Sequence, residues 1–259
     1  MLSVISDMDG VIYRGKKLIP GAQDFIDRMT AAGVRFVFLT NNSEQTPRDL
    51  VRKLEGLGIH GLGEENFITS AMAAAQFVAS QRPHGSAYVV GGPGLTNELY
   101  KVGFSLTENN PDYVIVGKTA TFSFPMLKKA TELINNGAKF IGTNPDMLDP
   151  IEGGNEPAAG VLLAAIAAAT GKQPYVVGKP NSLMMIYARR MLGAHAEDCV
   201  MVGDRMDTDV VGGVEAGTRT CLVLSGVSTQ ESLDEFPYSP TYVYPSVAEI
   251  DLDELAAEG

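Results

Sequence analysis

The sequence predicts an α/β fold with a doubly wound, largely parallel sheet, because its apolar residues follow two alternating patterns. Short runs rich in β-branched and aromatic residues alternate with stretches of helical periodicity, which is typical of βα units. The short runs are continuously apolar, as expected of strands that are buried on both faces. Several helical stretches end just before a glycine, which favours a left-handed C-terminal cap.

The boundaries of the main elements follow from these patterns. Strands are predicted at residues 2–5, 35–39, 87–90, 113–116, 139–141, 175–177, 199–202 and 220–224. Helices are predicted at residues 22–32, 47–57, 72–81, 125–135, 158–170 and 182–192.

The composition is that of an ordinary globular protein with more acidic than basic residues. Of 259 residues, 45% are hydrophobic and 20% are charged, as in average soluble domains. The formal net charge of −11 argues against nucleic acids and anionic membranes as partners, since both attract a basic face. It is compatible with a small anionic substrate held by a metal ion and one lysine. Cys199 and Cys221 lie in apolar runs, and we expect buried reduced thiols there.

We expect a cytoplasmic location from the absence of a recognisable targeting or membrane segment. The first predicted strand begins at Leu2, which leaves no room for a signal peptide. The longest nearly unbroken apolar stretch, residues 158–169, is rich in alanine and too short to cross a bilayer. It suits a buried helix.

Two polar segments indicate a core interrupted by an inserted domain. Residues 81–85 (QRPHG) and 171–174 (GKQP) contain Pro and Gly, as domain boundaries often do. We therefore predict a core formed by residues 1–82 and 174–259 and an inserted domain formed by residues 83–173. The stretches 29–43 and 133–147 share the order helix end, glycine, strand, Thr-Asn, which indicates two α/β units.

Four polar segments follow predicted strands and carry most of the reactive side chains. They are DMDG (7–10), TNNS (40–43), GKP (178–180) and GDRMDTD (203–209). Because open α/β sheets bind ligands at the carboxyl ends of their strands, these segments can converge on one crevice. Each alone has a plain structural interpretation, since Asp-Gly is a turn dipeptide and a Thr or Ser can cap a helix.

Together, the residue types in these segments suit phosphoryl transfer. Adjacent carboxylates repel one another unless a hard cation such as Mg²⁺ lies among them. A phosphoryl group would need Lys179, the Thr40 hydroxyl and backbone N–H groups. One carboxylate of the pair Asp7 and Asp9 could attack phosphorus, while the other protonates the leaving oxygen and later activates water.

In this order and at these spacings, the four segments resemble the motifs of haloacid-dehalogenase (HAD) superfamily phosphatases. The resemblance extends over nearly the whole chain to the NagD-like, type IIA (C2-capped) branch. It implies a Rossmann-like, HAD-like core with an α/β cap inserted between the second and third motifs. Further stretches typical of the branch are TSAMAAAQF (69–77), DYVIVG (112–117), TNPD (143–146), LVLSGVS (222–228) and YPSVAEI (244–250).

The resemblance implies a role for each matching position. Asp7 would be the nucleophile and a Mg²⁺ ligand, and Asp9 the general acid/base, with its backbone carbonyl on the metal. Asp204 would be the third protein ligand, Asp209 would support the metal's waters, and Lys179 would complete the catalytic set by offsetting negative charge. Substrate contacts are expected from Asp9, Thr40, Asn41, Asn42, Lys179, Arg205 and Thr208.

The inserted domain offers candidates for substrate selection. Asn144 and Asp146 follow its Thr-Asn strand end, and we expect them to contact the leaving group. Residues 148–157 (LDPIEGGNEP) are predicted to form a long acidic loop that either recognises substrate or merely connects elements. The partner is predicted to be a small phosphorylated metabolite, and the protein a monomer or homodimer.

These observations predict a Mg²⁺-dependent phosphatase that hydrolyses small phosphomonoesters through an aspartyl-phosphate. Nucleoside monophosphates, sugar phosphates and p-nitrophenyl phosphate are the expected substrates. A phosphotransferase or phosphomutase would use the same intermediate while excluding water. A non-catalytic sensor of phosphometabolites could dispense with the acid/base, and a dehalogenase would need neither the second aspartate nor a metal.

Overall fold

Parallel strands and helices alternate along the chain, as the sequence predicts. The computed structural model describes residues 1–151 and 153–257. The strands are β1 (Ser3–Ser6), β2 (Tyr13–Arg14), β3 (Lys17–Leu18), β4 (Arg35–Thr40), β5 (Phe67–Thr69), β6 (Ser86–Val90), β7 (Ser105–Leu106), β8 (Tyr113–Val116), β9 (Lys139–Gly142), β10 (Leu148–Ile151), β11 (Gly154–Pro157), β12 (Tyr175–Val176), β13 (Cys199–Gly203), β14 (Arg219–Val223) and β15 (Tyr242–Tyr244). The helices are α1 (Ala22–Ala31), α2 (Pro47–Leu57), α3 (Ser70–Gln81), α4 (Pro93–Lys101), α5 (Phe124–Asn135), α6 (Ala159–Thr170), α7 (Ser182–Leu192), α8 (Val211–Glu215) and α9 (Leu252–Ala257).

The described residues form two compact units. One contains Met1–Thr40, Pro47–Ile68 and the chain from Lys179 onwards, and the other contains Asn41–Thr46 and Thr69–Gly178. We call the first the carboxylate unit, after the aspartates described below, and the second the inserted unit, because most of it lies between two parts of the first in the sequence.

A six-stranded sheet in the order β15-β14-β13-β1-β4-β5 forms the carboxylate unit. The pairs of β1 with β4 and β13, and of β14 with β13 and β15, are parallel. All residues of β1 are buried, so its apolar run faces protein on both sides. The sheet grows from β1 towards β4 and, later in the chain, from β1 towards β13. The carboxyl end of β1 therefore lies at a switch point, where open α/β sheets form their ligand crevice.

A second parallel sheet, in the order β12-β9-β8-β6-β7, forms the inserted unit. Apolar side chains of β8 and of the helices α5 and α6 form its core. The stretch 148–157, predicted as a loop, contains an antiparallel hairpin of β10 and β11. The loop prediction was therefore wrong for these strands, and its Glu152 lies outside the described residues. Lys118 stabilises the hairpin, because its Nζ lies 2.6 Å from Asp149 Oδ2 and 2.5 Å from Glu156 Oε1.

Along the sequence, the division between the two compact units falls at other positions than the domain boundaries predicted at 82/83 and 173/174. Helix α3 packs against α4, which places it with the inserted unit. Strand β12 pairs with β9 of the same unit. Segment 41–46 also belongs there, since the Gly94 N–H donates to the Glu44 carbonyl at 2.9 Å. The domain assignment stays a prediction, and positions 258–259 of the predicted core lie outside the described residues.

Two further expectations concern burial and membranes. Cys199 and Cys221 are both buried and free, as expected from their apolar runs. Burial raises the pKa of the Cys199 thiol to about 11.

Across residues 1–151 and 153–257, none of the helices has the length and apolar character needed to cross a membrane.

Helix α2 contributes buried side chains to the core of the carboxylate unit, which provides a first stability test. Leu54 is buried in that core and Arg52 is exposed on the same helix. We expect Leu54→Ala to lower the free energy of unfolding by about 2–5 kcal/mol, because the truncation leaves a cavity. Arg52→Ala should change it by less than about 0.5 kcal/mol. Urea unfolding of both variants measures the difference, and equal effects would contradict this description of the core.

Candidate active site

The first candidate carboxylate, Asp7, directly extends the buried strand β1. Its N–H donates to the Val202 carbonyl on β13 at 2.8 Å, so the parallel ladder holds its backbone. Asp7 is 8% exposed, and Met8 is completely buried in the core. Asp9 is exposed. The two aspartates therefore have different environments although a single residue separates them.

A buried lysine lies between two of the aspartates. The Nζ of Lys179 is 2.8 Å from Asp7 Oδ1 and 2.7 Å from Asp209 Oδ1. Lys179 is 3% exposed. Burial by itself lowers the pKa of this ammonium, but the two carboxylates outweigh burial and raise it. The lysine therefore stays charged and serves as the counterion of both aspartates.

Asp204, at the carboxyl end of β13, completes the cluster. Its Oδ2 accepts a hydrogen bond from the Val227 N–H at 2.8 Å. Two glycines make room for that oxygen, since a Cβ would lie 2.3 Å from it at Gly10 and 1.9 Å from it at Gly226. Gly10 also has a φ of +76°, which disfavours other residues. The approach of both backbones fixes the position of the carboxylate.

The three buried carboxylates carry more negative charge than one lysine can balance. One oxygen from each of Asp7, Asp204 and Asp209 lies within 4.8 Å of the other two. Burial raises the pKa of Asp204 to about 8, with the charges of Asp209 and Asp7 adding to the effect. Burial also raises the pKa of Asp209 to about 6 and raises that of Asp7, against the influence of Lys179 in both cases.

This donor set fits a divalent cation. Carboxylate oxygens are the ligands that Mg²⁺ prefers, and it commonly binds to one or two of them together with water and phosphate oxygens. A cation among the three carboxylates would offset both the cost of their burial and their mutual repulsion, which together raise their pKa values. The sequence predicted Asp7, Asp9, Asp204 and Asp209 as the metal site, and the structure brings together the side chains of three of them.

The Asp9 side chain contacts a different set of residues. Its Oδ2 accepts a hydrogen bond from the Tyr13 hydroxyl at 3.0 Å. Tyr13 is 2% exposed, and burial, followed by the charge of Asp9, raises the pKa of its phenol. Sequence reasoning missed Tyr13, because an aromatic residue following an apolar pair has the pattern of a packing residue.

Three other predicted residues of the carboxylate unit lie on the same strand ends and loops. Thr40 is the last residue of β4 and is 6% exposed. Thr208 is 5% exposed and lies in the π-helical turn Met206–Val210. The Arg205 guanidinium pairs with Asp207, with Nε–Oδ1 at 2.9 Å and Nη2–Oδ2 at 2.7 Å. Its backbone N–H donates to Asp209 Oδ2 at 3.2 Å.

The remaining predicted residues hydrogen-bond within the inserted unit. Asn144 Nδ2 donates to the Asn41 carbonyl at 2.8 Å, and Asn41 Nδ2 donates to Asp146 Oδ2 at 2.8 Å. Asn144 is 4% exposed. Asn42 Oδ1 accepts from the N–H groups of Glu44 and Gln45, both at 2.9 Å. These side chains order segment 41–46, and their contacts with substrate stay predictions.

Fold and site together define a class of α/β protein with an acidic, lysine-paired cluster at a sheet switch point. Comparisons with known proteins identify the family. Residues 4–105 match the family described as "Haloacid dehalogenase-like hydrolase", and residues 176–250 match a second one described as "HAD-hydrolase-like". The chain belongs to the haloacid dehalogenase superfamily, in the branch of NagD-like phosphatases.

Several relatives are similar over almost the whole chain. A protein named dihydroxyacetone phosphatase, from Corynebacterium glutamicum (strain R), is 47% identical over 96% of this chain and 90% of its own length. Ribonucleotide monophosphatase NagD from Escherichia coli (strain K12) is 43% identical over 96% of this chain and 98% of its own length. A solved structure described as NagD from E. coli K-12 has a TM-score of 0.93 at 42% identity and covers 97% of this chain and 100% of its own. These findings confirm the predicted fold class and enzyme class, a hydrolase of phosphoric monoesters.

Asp204 should make the stability of the metal-free protein depend on pH. Its folded pKa of about 8 lies above the unfolded value of about 3.9. The protonated carboxyl therefore contributes fully below about pH 4, and this contribution is lost as the pH rises through about 8. We expect the melting temperature in EDTA to fall over this range, and to fall less steeply in Asp204→Asn.

Asp207→Asn provides the matched control, since Asp207 is exposed and lies on the same loop. It should retain the wild-type pH dependence. Added Mg²⁺ at pH 8 should raise the melting temperature of wild type and Asp207→Asn, and raise that of Asp204→Asn much less. An unchanged pH slope in Asp204→Asn would contradict the assigned charge balance.

Proposed function

We propose that the protein is a Mg²⁺-dependent phosphatase that hydrolyses small phosphomonoesters through an aspartyl-phosphate on Asp7. The observation that carries the proposal is the pairing of the buried Asp7 with Lys179 at 2.8 Å, with a second carboxylate, Asp9, two positions further on. One group is suited to attack, and the other to proton transfer.

In the first step, a carboxylate oxygen of Asp7 attacks phosphorus while the bond to the leaving oxygen breaks. Lys179, which carries a full charge beside Asp7, offsets the negative charge of the phosphoryl group. The protonated Asp9 transfers its proton to the leaving oxygen, which departs as an alcohol. Thr40 and the Asn41 N–H, at the end of β4, would bind phosphoryl oxygens.

In the second step, water hydrolyses the aspartyl-phosphate. Asp9, ionised after the first step, accepts a proton from the attacking water. The bond between phosphorus and the Asp7 oxygen breaks, which releases inorganic phosphate and restores the carboxylate. Asp9 ends the cycle protonated, so atoms and protons balance over the two steps.

The metal would be held by Asp7 and Asp204, with Asp209 supporting it and the Asp9 backbone carbonyl as a further ligand. When bound, Mg²⁺ supplies positive charge for the phosphoryl oxygens. The raised pKa values of Asp204 and Asp209 support this assignment, because burial and the neighbouring carboxylates disfavour their ionised forms, and a bound cation would offset both effects.

The proposed substrates are small phosphomonoesters such as nucleoside monophosphates and sugar phosphates. The names of two relatives support this class, since one is called a dihydroxyacetone phosphatase and the other a ribonucleotide monophosphatase. Arg205, Thr208, Asn42, Asn144 and Asp146 stay candidates for substrate contacts. A cytoplasmic location and a monomeric or homodimeric state also stay predictions.

Replacing the nucleophile tests the proposal most directly. We expect Asp7→Asn to abolish release of inorganic phosphate from p-nitrophenyl phosphate with Mg²⁺, because an amide cannot form the acyl phosphate. Asp253→Asn, at an exposed carboxylate of α9, serves as control and should retain wild-type activity. Substantial turnover by a folded Asp7→Asn would refute the assignment.

Replacing the acid/base should separate binding from chemistry. We expect Asp9→Asn to lower kcat by about 10²–10⁴-fold while the inhibition constant of inorganic phosphate changes little, because Asp9 is needed for proton transfer. Equal losses in binding and turnover would instead indicate a structural role.

The same assays distinguish the alternative functions. Phosphate released in step with p-nitrophenol indicates hydrolysis, whereas a deficit matched by a phosphorylated acceptor indicates a phosphotransferase or phosphomutase. Tight binding of phosphometabolites without turnover, measured by calorimetry, would indicate a sensor.

A further inference from the structure

Asp9 lies at one end of a short hydrogen-bonded chain that extends away from the three buried carboxylates. The Tyr13 hydroxyl donates to Asp9 Oδ2 at 3.0 Å, and the Lys53 Nζ donates to the Tyr13 hydroxyl at 2.8 Å. The same Nζ lies 4.0 Å from the centre of the Tyr13 ring. All three residues belong to the carboxylate unit.

The direction of these hydrogen bonds is fixed by the donor and acceptor groups. A lysine ammonium can only donate, so the Tyr13 oxygen must accept from Lys53. A phenol has a single hydrogen, and that hydrogen points to Asp9 Oδ2. Lys53 thereby orients the tyrosine hydroxyl, and the hydroxyl in turn holds one carboxylate oxygen of Asp9.

Local backbone hydrogen bonds place Tyr13 beside Asp9. The Ile12 N–H donates to the Met8 carbonyl at 2.8 Å, and the Gly10 N–H donates to the Tyr13 carbonyl at 2.7 Å. These bonds close a tight turn that returns Tyr13 to the side of Asp9. The Tyr13 ring is 2% exposed and packs in the core of the unit, whereas Asp9 is exposed. A buried group in the packed core therefore orients an exposed carboxylate.

We propose that Tyr13, oriented by Lys53, is a positioning residue that holds the Asp9 carboxylate in place for proton transfer to the leaving group. This inference rests on the proposed function, in which Asp9 is the general acid. Neither Tyr13 nor Lys53 is expected to contact the substrate. Their effect should therefore appear where proton transfer to the leaving oxygen matters, and not in substrate binding.

Comparing two leaving groups separates a loss of Asp9 positioning from a general loss of catalytic activity. Phenyl phosphate and p-nitrophenyl phosphate have similar shapes, but phenolate needs a proton on departure much more than p-nitrophenolate does. We expect Tyr13→Phe to lower kcat/KM for phenyl phosphate about tenfold, the value of one hydrogen bond to a charged group. For p-nitrophenyl phosphate the loss should be less than about twofold, because little proton transfer is required there.

Tyr242→Phe is the matched control. Tyr242 is a buried tyrosine of the same unit, and its hydroxyl also accepts a hydrogen bond from a cation, Arg219 Nη1, at 3.2 Å. It should leave the ratio of the two kcat/KM values unchanged. Lys53→Met provides a second test that keeps the tyrosine, and it should change the ratio in the same direction as Tyr13→Phe.

The outcomes distinguish the inference from the function on which it rests. If wild type hydrolyses neither aryl phosphate, the proposed function fails. If wild type hydrolyses both, and the folded Tyr13→Phe and Lys53→Met variants lose activity equally for both esters or for neither, the positioning role is overturned. A selective loss for phenyl phosphate supports it. Should Tyr13→Phe fail to fold, Lys53→Met decides alone by the same criterion.

Discussion

The balance of charge around Lys179 is the constraint on which the rest of the site depends. Burying one ion costs several kcal/mol unless a partner compensates for it. Here the Lys179 ammonium compensates for both Asp7 and Asp209, whose Oδ1 atoms lie 2.8 and 2.7 Å from its Nζ. An oxygen of Asp204 lies within 4.8 Å of an oxygen of each of these aspartates. Burial, together with the charges of the neighbouring carboxylates, raises the pKa values of Asp204 and Asp209, and the single lysine does not offset this effect. The same imbalance supports the proposed binding of a divalent cation among the three carboxylates.

The sheet is what brings these charges together. Asp7 follows β1 and Asp204 follows β13, so two paired strands deliver two carboxylates to one edge. Close approach of the chain at Gly10 and Gly226 leaves Asp204 little freedom. Buried strands and close backbone approaches therefore determine where the carboxylates lie, although like charges repel one another. The proposed cation and phosphoryl group would bind at this edge of the sheet.

The sequence predicted the main strands and helices closely, since their apolar runs are long and end at clear signals. Helices α2 and α7 and strand β8 have the predicted bounds. The two-residue strands β2, β3 and β7 were missed because two residues carry no periodicity, whereas the two-residue β12 lies within the strand predicted at residues 175–177. The β10–β11 hairpin was missed because its residues are polar and rich in glycine, and its stability comes partly from the ion pairs of Lys118. The pattern of neighbouring residues in the sequence does not predict such long-range contacts.

The same distinction applies to the candidate site, where the sequence predicted some residues and missed others. Asp7, Lys179 and Asp204 stand out because charged residues at the ends of apolar strands are costly without a function. Tyr13 and Lys53 have ordinary positions in a core pattern and on a helix, and only the fold joins them to Asp9. The contrast extends to the two aspartates separated by one residue, because their surroundings differ. Asp7 is buried and paired with Lys179, whereas Asp9 is exposed and accepts a hydrogen bond from the Tyr13 hydroxyl, and this difference underlies the separate roles proposed for them.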